Sequence, residues 1–403
     1  MAKKRNKSPV LMPVYNRFDV AFERGEGAYL FDAEGNKYLD FASGIAVTAL
    51  GHSHPHLVKA LADQGGKLWH TSNLFRIPLQ EKLAERLTDA TFADTVFFTN
   101  SGVEAIECCL KLARKHHADK GHPERYRVLT FKKAFHGRSL AAIAAAKSEK
   151  MVKGFGPMPE GFDQVPFIDL DAARKAITKE TAAILIEPVQ GEGGIVPAKQ
   201  EELQALRESA DEHGILLIFD EIQCGMGRTG KLFAYEWYGV EPDIMAVAKG
   251  VGGGFPLGAC LARGSVGEAL SIGSHGTTYG GNPLGMAVGN AVLDVLLQDG
   301  FLPHVQKMTE ALLEGLNALK NKYPALIKDV RGLGLMIGVE CAVETRPLIA
   351  KAIEAGLVPA PSGTHVLRLL PPLIIDEGHI REALEKLDAL FAGVRLKRAR
   401  KKA

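Results

Sequence analysis

The chain has 403 residues, 46% of them hydrophobic and 24% charged, and a formal net charge of +2. That balance excludes a disordered or strongly polyionic protein and leaves length for a large core plus a second, smaller domain. No apolar run approaches the ~18 residues that span a bilayer, and the basic N-terminus lacks the apolar stretch of a secretion signal, so the expectation is a cytoplasmic protein without a membrane partner.

The chain opens on Lys3, Lys4, Arg5 and Lys7 and closes on a basic run from Arg395 to Lys402. No aromatics separate these charges, so both ends read as solvated tails and no nucleic-acid partner is expected. GAYLFDAEGNKYLDF (27–41) alternates apolar and polar residues around Ala33-Glu-Gly-Asn36, which predicts a hairpin. From about residue 55 to 300, the short apolar runs TVFFTN, VLTF, QVPFI, AAILIEP, GILLIFDE and IMAVAK alternate with helix-period segments such as VEAIECCLKLARKHH. Such alternation predicts an α/β domain with a mainly parallel sheet covered by helices on both faces.

Helical patterns at 282–298 and 304–322 follow, then VRGLGLMIGVEC, a helix at 346–356, the strand-like THVLRLL and a closing helix from about Asp376. These elements predict a smaller α+β domain over 301–403, with residues 1–54 packing against it. Cys108, Cys109, Cys224, Cys260 and Cys341 show no C-x-x-C spacing; they read as reduced and mostly buried, with no metal site.

In open α/β sheets ligands bind outside the carboxyl ends of the strands, so the polar residues that close the apolar runs come first. After TVFFTN, Ser101-Gly102-Val103-Glu104 opens a helix. That is a ready phosphate site, and equally a plain N-cap by Asn100 or Ser101. After GILLIF stands Asp220, a carboxylate that is costly there unless a cation or hydrogen bond meets it, or unless it caps the next turn. Lys249 ends IMAVAK, where lost hydration would lower its pKa and free a neutral amine; alone it reads equally as a solvated strand-end lysine. Glycines 250, 252, 253 and 254 behind it leave room for close approach of backbone or ligand. After VLTF come Phe135, able to stack on a flat ligand, then His136 and Arg138, whose guanidinium can grip a carboxylate. A phosphate cradle, an aromatic plate, a buried acid and a desolvated lysine together fit pyridoxal 5′-phosphate.

Gly225-Met-Gly227-Arg-Thr-Gly230 matches the dinucleotide pattern G-x-G-x-x-G, which would suit an oxidoreductase. The context argues against it, because the strand has already ended at Asp220 and no ribose-binding acid follows in a βαβ unit.

Over nearly the whole chain, the stretches DFASGIAVTALGHSHP, TNSGVEA, FHGRS, EPVQGEGG, FDEIQCGMGRTG, AKGVGGGFPLG, GSHGTTYGGNP and VRGLGLMIG resemble those of the class III (ω-amino acid type) aminotransferases. These are pyridoxal-phosphate enzymes of fold-type I. The resemblance implies that Lys249 is the Schiff-base lysine, that Asp220 pairs with the pyridine nitrogen and that Phe135 stacks on the ring. Ser101, Gly102 and Val103 would cradle the phosphate with Thr278 of the other subunit of a homodimer. Glu221, Ile222 and Gln223 complete the cofactor-binding stretch, Gln223 beside the phenolic oxygen.

Arg138 matches the arginine that holds the substrate α-carboxylate, and Thr277 would lie near the substrate. Glu192 resembles a switch glutamate that pairs with Arg368 and releases it to bind 2-oxoglutarate. Within the family the similarity is greatest to members acting on N2-acylated ornithines. Relatives using succinylated diamines, free ornithine or 4-aminobutyrate share the same cofactor residues. One departure is Ile106, which stands where the family motif has asparagine. The glycine run after Lys249 is expected to make room for the cofactor and the partner's loop.

Overall fold

The computed structural model describes residues 10–394; both basic tails lie outside the described residues. Seven strands form the central sheet, in the order Thr95–Thr99, Gly258–Ala262, Ile244–Val247, Leu216–Asp220, Thr181–Ile186, Arg127–Phe131 and Phe162–Val165. All run in one direction except Gly258–Ala262, which is antiparallel to both of its neighbours. The expected mainly parallel sheet is therefore present, with one reversed strand that sequence reasoning did not find. Residues 248–257 connect this strand to Ile244–Val247 and are too few for a crossover, so the chain can only turn back antiparallel.

Alternation along each strand feeds two buried layers. Leu217, Phe219, Met245 and Val247 enter one apolar cluster, which continues through Leu293 and Leu296 to Leu312, Ile337 and Leu369. Leu216, Ile218, Ile244 and Ala246 enter a second cluster on the opposite face, with Ile106, Cys109 and Cys260. Because both faces are covered, the strands read as unbroken apolar runs. Ile106 is fully buried in that second layer, so an apolar residue is at home there.

Other boundaries differ for local reasons. QVPFI is strand only up to Val165, since the next residue, Pro166, has no N–H for a ladder. VRGLGLMIGVEC folds into the hairpin Ile327–Leu333 and Met336–Cys341. Between them Gly334 has φ +60°, and a Cβ there would come within 2.3 Å of the Thr229 backbone, so the turn requires glycine. Val366–Leu369 and Ala360–Ser362 extend this antiparallel sheet. The predicted N-terminal hairpin is Tyr29–Asp32 with Lys37–Asp40, and Leu357–Val358 pairs in parallel with its second strand. All five cysteines are buried and free. No helix among the described residues is long and apolar enough to cross a membrane.

Candidate active site

The strand ends named above converge on a cavity of ≈ 450 Å³. Its walls include Ser101, Gly102, Val103, Phe135, Arg138, Asp220, Ile222, Gln223 and Lys249, drawn from segments far apart in the chain.

At one end stands helix Gly102–Asp119. The Glu104 carboxylate accepts from the backbone N–H groups of Asn100 at 2.7 Å and Ser101 at 2.9 Å, which fixes the entry of the chain into the helix. The next N–H groups, of Gly102 and Val103, have no intrahelical acceptor and sit in the cavity wall, a setting that attracts an anion. A Cβ at Gly102 would lie 2.9 Å from Ile222 Cδ1, so the cradle and the Ile222 wall close on each other only with glycine there.

Lys249 opens a single 3₁₀ turn that starts one residue after strand Ile244–Val247, with φ +52°, a left-handed conformation that L-residues avoid. Such strain costs ~1–3 kcal/mol and persists where surrounding structure holds it. Burial, then the positive charge of Arg368, lower the lysine pKa from 10.5 to about 8; Asp220, Glu192 and Glu187 pull the other way.

Asp220 is only 4% exposed. One carboxylate oxygen meets His136 Nδ1 at 2.8 Å and the other accepts from Ile222 N–H at 3.1 Å. Burial disfavours charge on His136, but the hydrogen bond and charge of Asp220, with Glu187, raise its pKa overall. Glu187 lines the same cavity, and burial pushes its pKa up to about 7 against the opposing charge of His136. Its carboxylate accepts from the N–H groups of Phe135 and Gly191, each at 3.1 Å, and so fixes the aromatic plate to the neighbouring loop. Glu187 and the partnership of His136 were missed by sequence reasoning. Glu187 directly follows the apolar strand ending at Ile186, so the rule that led to Asp220 would also have led to it.

Arg368 is 2% exposed, and its Nη1 donates to Glu192 Oε1 at 2.6 Å and Gln223 Oε1 at 3.0 Å. Arg138 is exposed, its guanidinium 5.6 Å from the Phe135 ring centroid.

Two expectations need correction. Glu221 does not line the cavity; successive strand residues point to opposite faces, so it turns away from Asp220 and accepts from the N–H groups of Ala234 and Tyr235 at 2.6 and 2.7 Å. Burial raises its pKa to about 8. Thr277 lies in the wall of a separate ≈ 390 Å³ cavity and Thr278 is exposed, a placement compatible with the expectation that Thr278 serves the other subunit. The glycine run serves mainly the chain's own core. A Cβ at Gly250 would meet Met226 Cβ at 2.9 Å and one at Gly253 would meet Leu57 Cδ2 at 2.7 Å, while Gly254 reaches the cavity. The G-x-G-x-x-G stretch opens no long helix, and its Arg228 is buried, donating to the carbonyls of Leu335 and Pro371.

The family model for class-III aminotransferases matches residues 12–391. The chain belongs to the class-III aminotransferases. This aminotransferase is 58% identical over 384 residues to the acetylornithine aminotransferase of Mesorhizobium japonicum, a match covering 95% of this chain and 96% of the relative. A crystal structure of N-acetylornithine aminotransferase from Stenotrophomonas maltophilia superposes with a TM-score of 0.82 at 38% identity, covering 94% of this chain and 97% of the other. An ornithine aminotransferase structure from Toxoplasma gondii, described as having partial occupancy of PLP at its active site, superposes with a TM-score of 0.89 at 32% identity, covering 93% and 91%. The fold is accordingly that of the fold-type I transferases.

The perturbed lysine makes a direct prediction for this aminotransferase. Only the neutral amine attacks a carbonyl, and its fraction grows as pH rises through the pKa. Capture of an added aldehyde by Lys249 in cofactor-free protein should therefore accelerate with pH and level off above about 8. Stopped-flow absorbance against pH reads this, and an inflection at the ordinary lysine value of 10.5 would contradict it.

Proposed function

We propose that this aminotransferase holds pyridoxal 5′-phosphate in the Lys249 cavity and transfers the δ-amino group of N2-acetyl-L-ornithine to 2-oxoglutarate, giving N-acetyl-L-glutamate 5-semialdehyde and L-glutamate. The observation that carries this reading is the junction of a lysine of lowered pKa, a buried carboxylate and a helix N-terminus in one cavity.

The residues present fit the cofactor. The N–H groups of Gly102 and Val103 suit its phosphate, the Phe135 face its ring and Asp220 its ring nitrogen. When bound, pyridoxal phosphate supplies a carbonyl that takes up the amine and a ring that holds the electron pair released by proton removal. Lys249 carries the proton away from the substrate's δ-carbon and returns one to the cofactor side. Asp220 holds a proton at the ring nitrogen, and His136 holds Asp220 in place. Arg138 grips the α-carboxylate, leaving the distal amine free to reach Lys249. Arg368, neutralised by Glu192 in the first half-reaction, takes the carboxylate of 2-oxoglutarate once Glu192 swings out.

A homodimer suits the surface. Leu74 and Ile272 are 87% and 106% exposed, and Trp69, Phe75 and Tyr279 are exposed as well. Asn73 ties this loop to the backbone of Thr277 and Gly280, so a second copy seated here would bring Thr277 and Thr278 toward its own cavity. Free buried thiols suit a cytoplasmic location. The same reading divides the chain at residues 54 and 300.

The test is a panel of kcat/KM values for N2-acetylornithine, N2-succinylornithine, succinyldiaminopimelate, ornithine and 4-aminobutyrate. Acylated amines should exceed ornithine and 4-aminobutyrate by at least about tenfold, since a site built for an acylated α-amine loses contacts without it. A preference for free ornithine would overturn the assignment.

A further inference from the structure

The loop 225–230 follows closely on the cavity residues Asp220 and Gln223 and buries a complete guanidinium, that of Arg228. Burial lowers its pKa from 12.5 to about 9, and only the charge of Asp40 works against this. A buried cation without a paired acid is costly, whereas leucine or methionine would fill such a space without that penalty. What the guanidinium adds is directional: its Nη1 donates to the carbonyls of Leu335, at 3.0 Å, and Pro371. Gly227 has φ +83°, and a Cβ on it would lie 2.9 Å from Leu373 Cδ1, so the loop is pressed against the segment to which Pro371 belongs.

That segment continues strand Val366–Leu369, which carries Arg368. Leu370 and Pro371 present adjacent carbonyls, and each is taken by a buried donor from elsewhere in the chain: Pro371 by Arg228, and Leu370 by Ser43 Oγ at 2.7 Å. Ser43 is fixed in turn by Asp40, whose carboxylate accepts from its N–H at 2.9 Å. The stretch 220–230 thus grips the segment twice, through Gln223 on Arg368 itself and through Arg228 beyond it. While Glu192 is paired with Arg368, that ion pair also locates the guanidinium. Once Glu192 leaves, Gln223 and the clamp behind the strand are what keep it in register with Lys249.

We propose that Arg228 is a positioning residue for Arg368: it sets where that guanidinium stands relative to Lys249, and it matters chiefly when 2-oxoglutarate is the substrate. The proposal rests on the transaminase reading above, in which Arg368 takes the 2-oxoglutarate carboxylate, and adds to it a residue acting only through another. The first half-reaction, with the Glu192 pair intact, tolerates a looser strand. The second does not, because a grip on a carboxylate fails with a shift of about 1 Å.

Arg228→Met removes the cation and its donors, and Arg228→Lys keeps the charge but replaces the fork with a point donor. Stopped-flow absorbance follows the two half-reactions of holoenzyme separately, with N2-acetylornithine and, in the aminated form, with 2-oxoglutarate. In Arg228→Met the apparent Kd for 2-oxoglutarate should rise at least about tenfold while that for N2-acetylornithine moves less than about threefold, and Arg228→Lys should show the same split in smaller measure. A second readout uses cofactor-free protein. The charged groups around Lys249 are Arg368, Asp220, Glu192 and Glu187, with His136 behind Asp220, and only the charge of Arg368 lowers the lysine pKa. A displaced Arg368 therefore lets the inflection of aldehyde capture rise above about 8, a change that mere loss of stability does not produce. Ser43→Ala, which takes one hydroxyl from the same clamp, should move both readouts in the same direction and decides the matter if neither Arg228 variant folds. An affinity for 2-oxoglutarate unchanged within about twofold with the inflection still at about 8, or an equal loss in both half-reactions with the inflection unmoved, would overturn this proposal alone. Failure of the aminated wild type to react with 2-oxoglutarate would overturn the transaminase reading and this proposal with it.

Discussion

Lys249→Ala loses about four orders of magnitude in kcat, which is about 5.5 kcal/mol of transition-state stabilisation. On the proposed function the loss is this large because one amine serves both as the covalent attachment point and as the base, and no second group is placed to replace it. The other cavity groups that could exchange a proton are already engaged: Asp220 with His136, and Glu187 with two backbone N–H groups. The variant should still fold and take up pyridoxal phosphate, since the helix N-terminus and Phe135 are untouched. Borohydride should then fail to fix the cofactor to the protein, whereas in wild type it should label the peptide carrying Lys249. Steady-state kinetics and peptide mass spectrometry read the two halves separately. Retention of a tenth of the wild-type rate would sink the assignment of Lys249.

Asp220→Asn should lower kcat by about two to three orders of magnitude, the scale for removing one preorganised charge from a reaction centre. The shape is nearly unchanged, so the effect is electrostatic. On the proposed function a neutral amide would no longer hold a proton at the ring nitrogen, and the bound ring would be a weaker sink for the electron pair left by proton removal. His136 changes too. Burial lowers its pKa and Asp220 is the main group that lifts it, with Glu187 adding to this, so in the variant the imidazole pKa should fall. Cofactor affinity measured by equilibrium dialysis should fall far less than kcat. A variant with near wild-type kcat would mean that the acid only caps the turn at Ile222.

The parts of the site legible in the sequence were those where one residue's position along its strand says enough. Asp220 and Lys249 each close an apolar run, and Ser101-Gly102 opens a helix. Glu221 shows the limit of that logic, because adjacency in sequence at a strand end places neighbours on opposite faces. The pairing of His136 with Asp220 joins residues 84 apart and depends on which strands become neighbours, which no local pattern encodes. The strand Gly258–Ala262 escaped notice for a similar reason. Its residues are small, and it follows a loop of glycine and proline that reads as a turn. The glycines themselves were visible, but their purpose was not. What they make room for is Met226 and Leu57 from distant parts of the chain.

The reversed strand also constrains how the protein is made. Thr95–Thr99, which delivers the chain to the phosphate cradle, lies at the edge of the sheet, and its single strand neighbour is Gly258–Ala262. During synthesis from the N-terminus this strand emerges early and then waits, its ladder unpaired, while the five other strands of the sheet are translated. It is completed by the segment that leaves the ribosome just after Lys249. The cradle and the amine therefore become competent in the same short interval of translation, and a nascent chain arrested before residue 258 carries an exposed strand edge that invites chaperone capture or aggregation.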